Sequence, residues 1–269
     1  MALQPLRHAL AFMLLLLLLL LRAPGAVRAR ERDMHLEMVT SAPSAAGVGT
    51  RTRAVPSCAS WRLAVETNNV RDWYSIPAEC RGYVRDYMFG DLFRQDCAVV
   101  AAEAVAYAEG LELAGDGKEV WVFDIDDTCL TNLPYYADTG FGVEPYNATY
   151  FDEYVANATA PALPEVLELY ERLLALGIKV VFITGRHDYQ REPTIKNLHS
   201  AGYHTWEKLV LKPSSLGSSV VPYKSGERQK LVDGGYRIVG NMGDQWSDLV
   251  GAPEGDRTFK VPDPMYYVG

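Results

Sequence analysis

Residues 122–128 read VFDIDDT, an apolar run that ends in three carboxylates, Asp124, Asp126 and Asp127, and the hydroxyl of Thr128. Like charges repel and a buried carboxylate without a partner is costly, so such a run calls for a cation or for a reaction. Two further polar groups follow apolar runs in the same way. Thr184-Gly185-Arg186-His187 comes after residues 178–183, and Asn241-Met242-Gly243-Asp244 comes after residues 236–240, with Asp248 four residues on. Lys224 opens the segment before the last of these runs. Asp124, Asp244 and Asp248 would repel one another unless a hard cation joined them, and carboxylates completed by water and a phosphate oxygen suit Mg²⁺ better than zinc. Thr184, the amides near Gly185, and Lys224 could then hold phosphoryl oxygens and neutralise transition-state charge. The chemistry expected is phosphoryl transfer from a small phosphorylated substrate.

For these residues to meet, strands must end at one edge of a sheet. Residues 119–125, 178–183, 208–212, 236–240 and 258–261 are short apolar runs of strand type, and residues 164–176, 192–201 and 224–232 between them have helical character. Strands alternating with helices predict an α/β fold, a Rossmann-like, mainly parallel sheet with helices on both faces. Ligands of such sheets bind beyond the carboxyl ends of the strands, which is where the polar groups fall. Ahead of the first strand, residues 92–114 have the spacing of a long amphipathic helix in an N-terminal helical region. Residues 131–163 interrupt the alternation with many Tyr and Phe, either as surface packing or as a short lid over the site.

The chain has 269 residues, 48% hydrophobic and 22% charged, enough for one sizeable core. Arg7 and His8, the apolar run 9–21 and the small residues up to Ala29 describe a secretory signal peptide, residues 1–29. The run is shorter than the roughly 20 residues of a membrane span, so no stable membrane insertion is expected. Residues 30–57 lack apolar periodicity and predict a flexible lead-in, with one domain over residues 58–269. Without residues 1–29 the chain holds 23 Lys+Arg against 34 Asp+Glu, an acidic balance that argues against nucleic acid as a partner. Asn147-Ala-Thr and Asn157-Ala-Thr are glycosylation sequons, in keeping with a secretory route to the extracellular space or a vacuole. Of four cysteines, one disulfide is expected among Cys58, Cys80 and Cys97, with Cys129 a small buried residue. The oligomeric state is left open, a homodimer included.

DIDDT resembles the DxDxT signature of the haloacid dehalogenase superfamily of phosphohydrolases; FITGR, YKS and GDQWSD resemble its second, third and fourth motifs. The wording around them, SWRLAVETNN, DIDDTCLTNLPYY and YKSGERQKL, is similar to the plant acid phosphatase and vegetative storage protein family, related to class B acid phosphatases. The resemblance implies an Mg²⁺-dependent acid phosphatase in which Asp124 is the nucleophile and Asp126 the general acid and base. It implies that Asp124, Asp244 and the Asp126 carbonyl hold the metal, that Asp248 acts through water or as a support, and that Thr184 and Lys224 bind the phosphoryl group. Arg186 would touch substrate. Asp127 would be a solvated or capping acid and Thr128 a loop support. The rival expectation is a storage glycoprotein with little catalysis; loss of the nucleophile marks such relatives, and Asp124 is present here.

Overall fold

Five parallel strands set the frame: β1 (Glu119–Phe123), β2 (Lys179–His187), β3 (Lys208–Lys212), β4 (Arg237–Gly243) and β5 (Thr258–Lys260). Their order in the sheet is β3-β2-β1-β4-β5. The chain moves outward on one side of β1 and then crosses to the other, so β1 and β4 flank the point where strand order reverses. That point is where an open α/β sheet forms a crevice at its carboxyl edge. The description rests on a computed structural model and covers residues 57–217 and 219–269; the signal peptide and most of the lead-in expected from the sequence lie outside the described residues.

Alternation along the buried strands separates the two faces. Trp121, Phe123 and Phe182 enter the larger core with residues of α3 (Asp91–Glu109) and α6 (Pro164–Ala175), while Val120, Val122, Val181 and Ile183 pack with Tyr223 and Leu231 of α8 (Val221–Asp233). Helices therefore cover both faces, as expected for a sheet whose strands are apolar throughout. Against the sequence expectation, α3 stops at Gly110 instead of running to residue 114, because Leu111 and Leu113 keep an apolar spacing while already part of the loop into β1. The lysine helix begins earlier, at Val221 with Pro222 in its first turn, so Lys224 lies inside it.

A disulfide ties Cys58, the first residue of α1 (Cys58–Glu66), to Cys80, which caps the start of α2 (Arg81–Met88), and Cys97 and Cys129 are free and buried. The insertion folds into two helices, α4 (Leu133–Asp138) and α5 (Ala148–Asn157). The remaining helices are α7 (Arg191–Ser200) and the single-turn α9 (Trp246–Leu249). Among the described residues no helix is long and apolar enough to cross a membrane.

Candidate active site

The acids meet because β1 and β4 end side by side. The Asp124 N–H still donates to Met242 O, 3.0 Å away, and the chain then turns so that the N–H groups of Cys129 and Leu130 both donate to Ile125 O, each at 2.9 Å. Asp127 sits in this turn with φ +52° and is buried rather than solvated; its carboxylate caps the loop, accepting the Asn132 N–H at 2.8 Å. Thr128 Oγ1 donates to Asp244 Oδ1 at 3.1 Å, tying the first loop to the end of β4. Gly243 precedes Asp244 for a steric reason: a Cβ there would lie 2.4 Å from the Asp248 side chain, which α9 folds back against the strand end.

Carboxylate oxygens of Asp124, Asp244 and Asp248 lie within 4.8 Å of one another, all three residues buried. Lys224 Nζ donates to Asp124 Oδ1 and, at 2.5 Å, to Asp248 Oδ1. Arg186 grips Asp126 in a forked contact, Nη2 to Oδ1 at 2.8 Å and Nε to both oxygens at 3.1 Å. Asp127 and Asp263 are buried beside the group, Gln245 Nε2 donating to Asp244 at 2.8 Å and to Asp263 at 3.2 Å. Tyr266 OH donates to Asp244 Oδ2 at 3.0 Å, its ring stacked on Tyr136 of α4.

Six carboxylates thus face two basic side chains. Burial, only partly offset by Lys224, pushes Asp124 well above the usual carboxylate range. Burial, with the neighbouring carboxylates, does the same to Asp127 and Asp263. Burial and Asp248 raise Asp244 to about 6. Asp126 differs: burial pushes it up, but the Arg186 guanidinium and the Asn132 amide outweigh this and hold it below the usual range. Lys224 is penalised by burial and still kept firmly protonated by Asp124 and Asp248.

An all-oxygen donor set with surplus negative charge fits a hard divalent cation. Ser247 Oγ and Asn132 Oδ1, both in the wall of the adjoining cavity, are further oxygens with no hydrogen-bond partner among the described residues. Asp124, Asp244 and Asp248 would hold the ion.

Two predictions arise here. A carboxyl raised in the fold favours folding while protonated; its contribution is complete below the unfolded value near 4 and is lost as pH rises through the folded value, about 6 for Asp244. Metal-free protein should therefore melt at a higher temperature at pH 5 than at pH 7, and added divalent cation should raise the midpoint more at pH 7 than at pH 5; differential scanning calorimetry checks both. The second concerns Tyr266→Phe, which removes a donor from Asp244 while keeping the ring on Tyr136. Metal affinity measured by titration calorimetry should fall by about tenfold, the scale of a lost partner to a metal ligand.

A cavity of about 530 Å³ opens onto the acids. Its wall includes Asp124, Asp126, Gly185, Arg186, Lys224, Asp244 and Asp248, so most of the residues expected from the sequence come together. Thr184 does not join that wall: it is fully buried and its Oγ1 accepts the Arg186 N–H at 3.1 Å, where it shapes the turn. Arg186, expected at the substrate, is already committed to Asp126, its side chain 1% exposed. Tyr135, Tyr136, Tyr146 and Phe151 of the insertion line the cavity, so the segment borders the site. Asn147 and Asn157 are exposed at the two ends of α5, Asn147 capping the helix by accepting the Tyr150 N–H.

Asn132, Gln245, Asp263 and Tyr266 were missed by sequence reasoning. Gln245 lies inside GDQWSD and could have been suspected; the other three reach the acids only through the fold of the insertion and the C-terminal segment.

Residues 46–269 match the family model described as HAD superfamily, subfamily IIIB (acid phosphatase). The chain is 48% identical over 212 residues to "Acid phosphatase 1" of Solanum lycopersicum, covering 78% of this chain and 83% of that one. It is 45% identical over 215 residues to "Vegetative storage protein 1" of Arabidopsis thaliana, covering 79% of each. Among solved structures, the class C acid phosphatase from Bacillus anthracis superposes with a TM-score of 0.59 at 23% identity, over 71% of this chain and 86% of that one, a likeness of fold.

Proposed function

The chain belongs to the subfamily IIIB acid phosphatases of the HAD superfamily, and from this premise we propose that it hydrolyses phosphomonoesters through a phosphorylated Asp124 with Mg²⁺ as the cation. The observation that carries the reading is Lys224 bridging Asp124 and Asp248, beside Asp244, in the wall of the cavity. Bound Mg²⁺ would supply charge neutralisation for the acids and the phosphoryl oxygens.

Asp124 Oδ attacks phosphorus, and the P–O bond to the leaving alcohol breaks as that oxygen takes a proton from Asp126. Water then attacks the acyl phosphate, Asp126 takes its proton, and inorganic phosphate leaves with Asp124 restored. Lys224 and the backbone at Gly185 neutralise the phosphoryl oxygens in transit, and Thr184 holds the turn that presents that backbone. Arg186 orients Asp126 and keeps it ionised at rest. The proton that Asp126 delivers is then best brought by the substrate itself, as a phosphate monoanion, which is abundant below its second pKa of about 6. That is a physical reason for acidic working conditions.

In this reading residues 58–269 are one catalytic domain with an insertion at 131–163, and the chain is a secreted or vacuolar glycoprotein carrying sugars on Asn147 and Asn157. The second reading, a storage protein with little turnover, is favoured by the similarity to a vegetative storage protein. The presence of Asp124, Asp126, Lys224 and Asp244 together favours the enzyme. The test is hydrolysis of an aryl phosphate at mildly acidic pH. Turnover with Mg²⁺ that falls by about a hundredfold or more under chelation supports the reading; equal turnover under chelation removes the metal from it, and none under any condition leaves the storage role.

A further inference from the structure

The last residue of β3, Lys212, is 5% exposed and lines the same cavity as Asp124 and Lys224. The other buried cations near the site are all matched. Lys224 has two carboxylates, Arg186 has Asp126, and the Arg228 guanidinium is held by the carbonyls of Asp248, Val250, Gly251 and Pro253. Among the described residues, Lys212 makes no side-chain hydrogen bond and no ion pair. Burial alone lowers its ammonium, and no carboxylate acts on it. The C-terminal Gly269 approaches Val220, another cavity residue, but makes no ion pair with Lys212. The Lys212 stem is buried and its ammonium, with no partner among the described residues, opens into the cavity, where it is free to receive an anion.

Its place in the sheet separates it from the phosphoryl site. Lys212 pairs in register with His187, beyond the irregularity that carries Gly185 and Arg186 out of the β2 ladder. β3 lies two strands from β1, about 10 Å between strand axes. A group held by Lys212 would therefore lie toward the β3 side of the cavity, offset from the phosphoryl site at the end of β1.

We propose that Lys212 forms a second anion subsite, and that the favoured substrates are phosphomonoesters carrying a further anionic group, a carboxylate or a second phosphate, across a ring or short chain from the reacting phosphoryl. The proposal rests on the phosphatase reading for the word substrate, and its test separates the two.

The Mg²⁺-loaded full chain is titrated calorimetrically with phenylphosphonate, carboxyphenylphosphonate and phenylenebisphosphonate, none of which can be hydrolysed at the C–P bond by this chemistry. Wild type should bind one or both two-anion ligands about tenfold to a hundredfold more tightly than phenylphosphonate, the scale of one charge-assisted contact, and the stronger of the two identifies the anion. Lys212→Met, a neutral side chain of similar length, should bring the ratio to within about twofold, and Lys212→Arg should restore part of it. Absence of preference in wild type overturns the proposal, and this arm needs no variant to fold. Equal weakening of all three ligands by Lys212→Met also overturns it, since Lys212 would then hold the phosphoryl group. Hydrolysis of phenyl phosphate by wild type is read separately: its absence alongside a preserved binding preference removes the phosphatase reading and leaves the subsite standing.

Discussion

Asp124→Asn is expected to lower aryl phosphate turnover by about four orders of magnitude or more while leaving the fold intact. The amide has nearly the shape of the carboxylate and can still accept from Lys224, so cavity and backbone survive. It cannot form the acyl phosphate, because its oxygen carries no charge to donate and its nitrogen is not a nucleophile. Loss of one charge from a group in which six carboxylates face two cations should also hold or raise the melting temperature of the metal-free protein, since burial already disfavours the ionised form. The pair of measurements distinguishes chemistry from structure: kcat collapses while the midpoint does not fall. Turnover within tenfold of wild type would remove Asp124 from its assigned role.

Lys224→Met should damage both. Its ammonium, 4% exposed, lies between Asp124 and Asp248, and without it those carboxylates are left buried and uncompensated. Removing one partner of a buried pair costs about 3–5 kcal/mol, and for a domain of this size each kcal/mol moves the midpoint by about 2–4 °C. A fall of about 10 °C is therefore expected at pH 7 without metal. The loss should shrink toward pH 5, where the acids take up protons, and should be partly offset by Mg²⁺, which neutralises the same oxygens. Catalysis should drop by about 10²–10³, the scale of a lost electrostatic donor at a transition state. Thermal scans at two pH values, with and without metal, check the first effect, and steady-state rates check the second. An unchanged midpoint in metal-free protein at pH 7 would mean that the carboxylates are balanced by something other than Lys224.

Much of this arrangement is legible in the chain because the physics is local. Apolar runs such as Val120–Phe123 need two covered faces, and polar tails after them need an open edge. Asp124, Gly185 and Asp244 follow from that logic, and Asp248 from its position four residues beyond Asp244. Other features depend on neighbours distant in sequence. Arg186 reads as a substrate contact until the fold brings Asp126 into its fork, and Thr184 as a phosphoryl-binding hydroxyl until the fold shows it fully buried and accepting the Arg186 N–H. Tyr266 reaches Asp244 only because the C-terminal segment passes under the insertion and stacks on Tyr136. Lys212 looks like an ordinary polar end to a strand; its burial without a partner is visible only in three dimensions.

The most direct test of a phosphorylated Asp124 is to catch it. Wild-type protein turning over an aryl phosphate with Mg²⁺ is quenched in acid within milliseconds, digested, and its peptides weighed by mass spectrometry. A single phosphoryl adduct on the peptide containing Asp124, absent from Asp124→Asn and lost under chelation, is the predicted result. Hydrolysis that proceeds with no adduct, or with the adduct on another residue, would contradict the account.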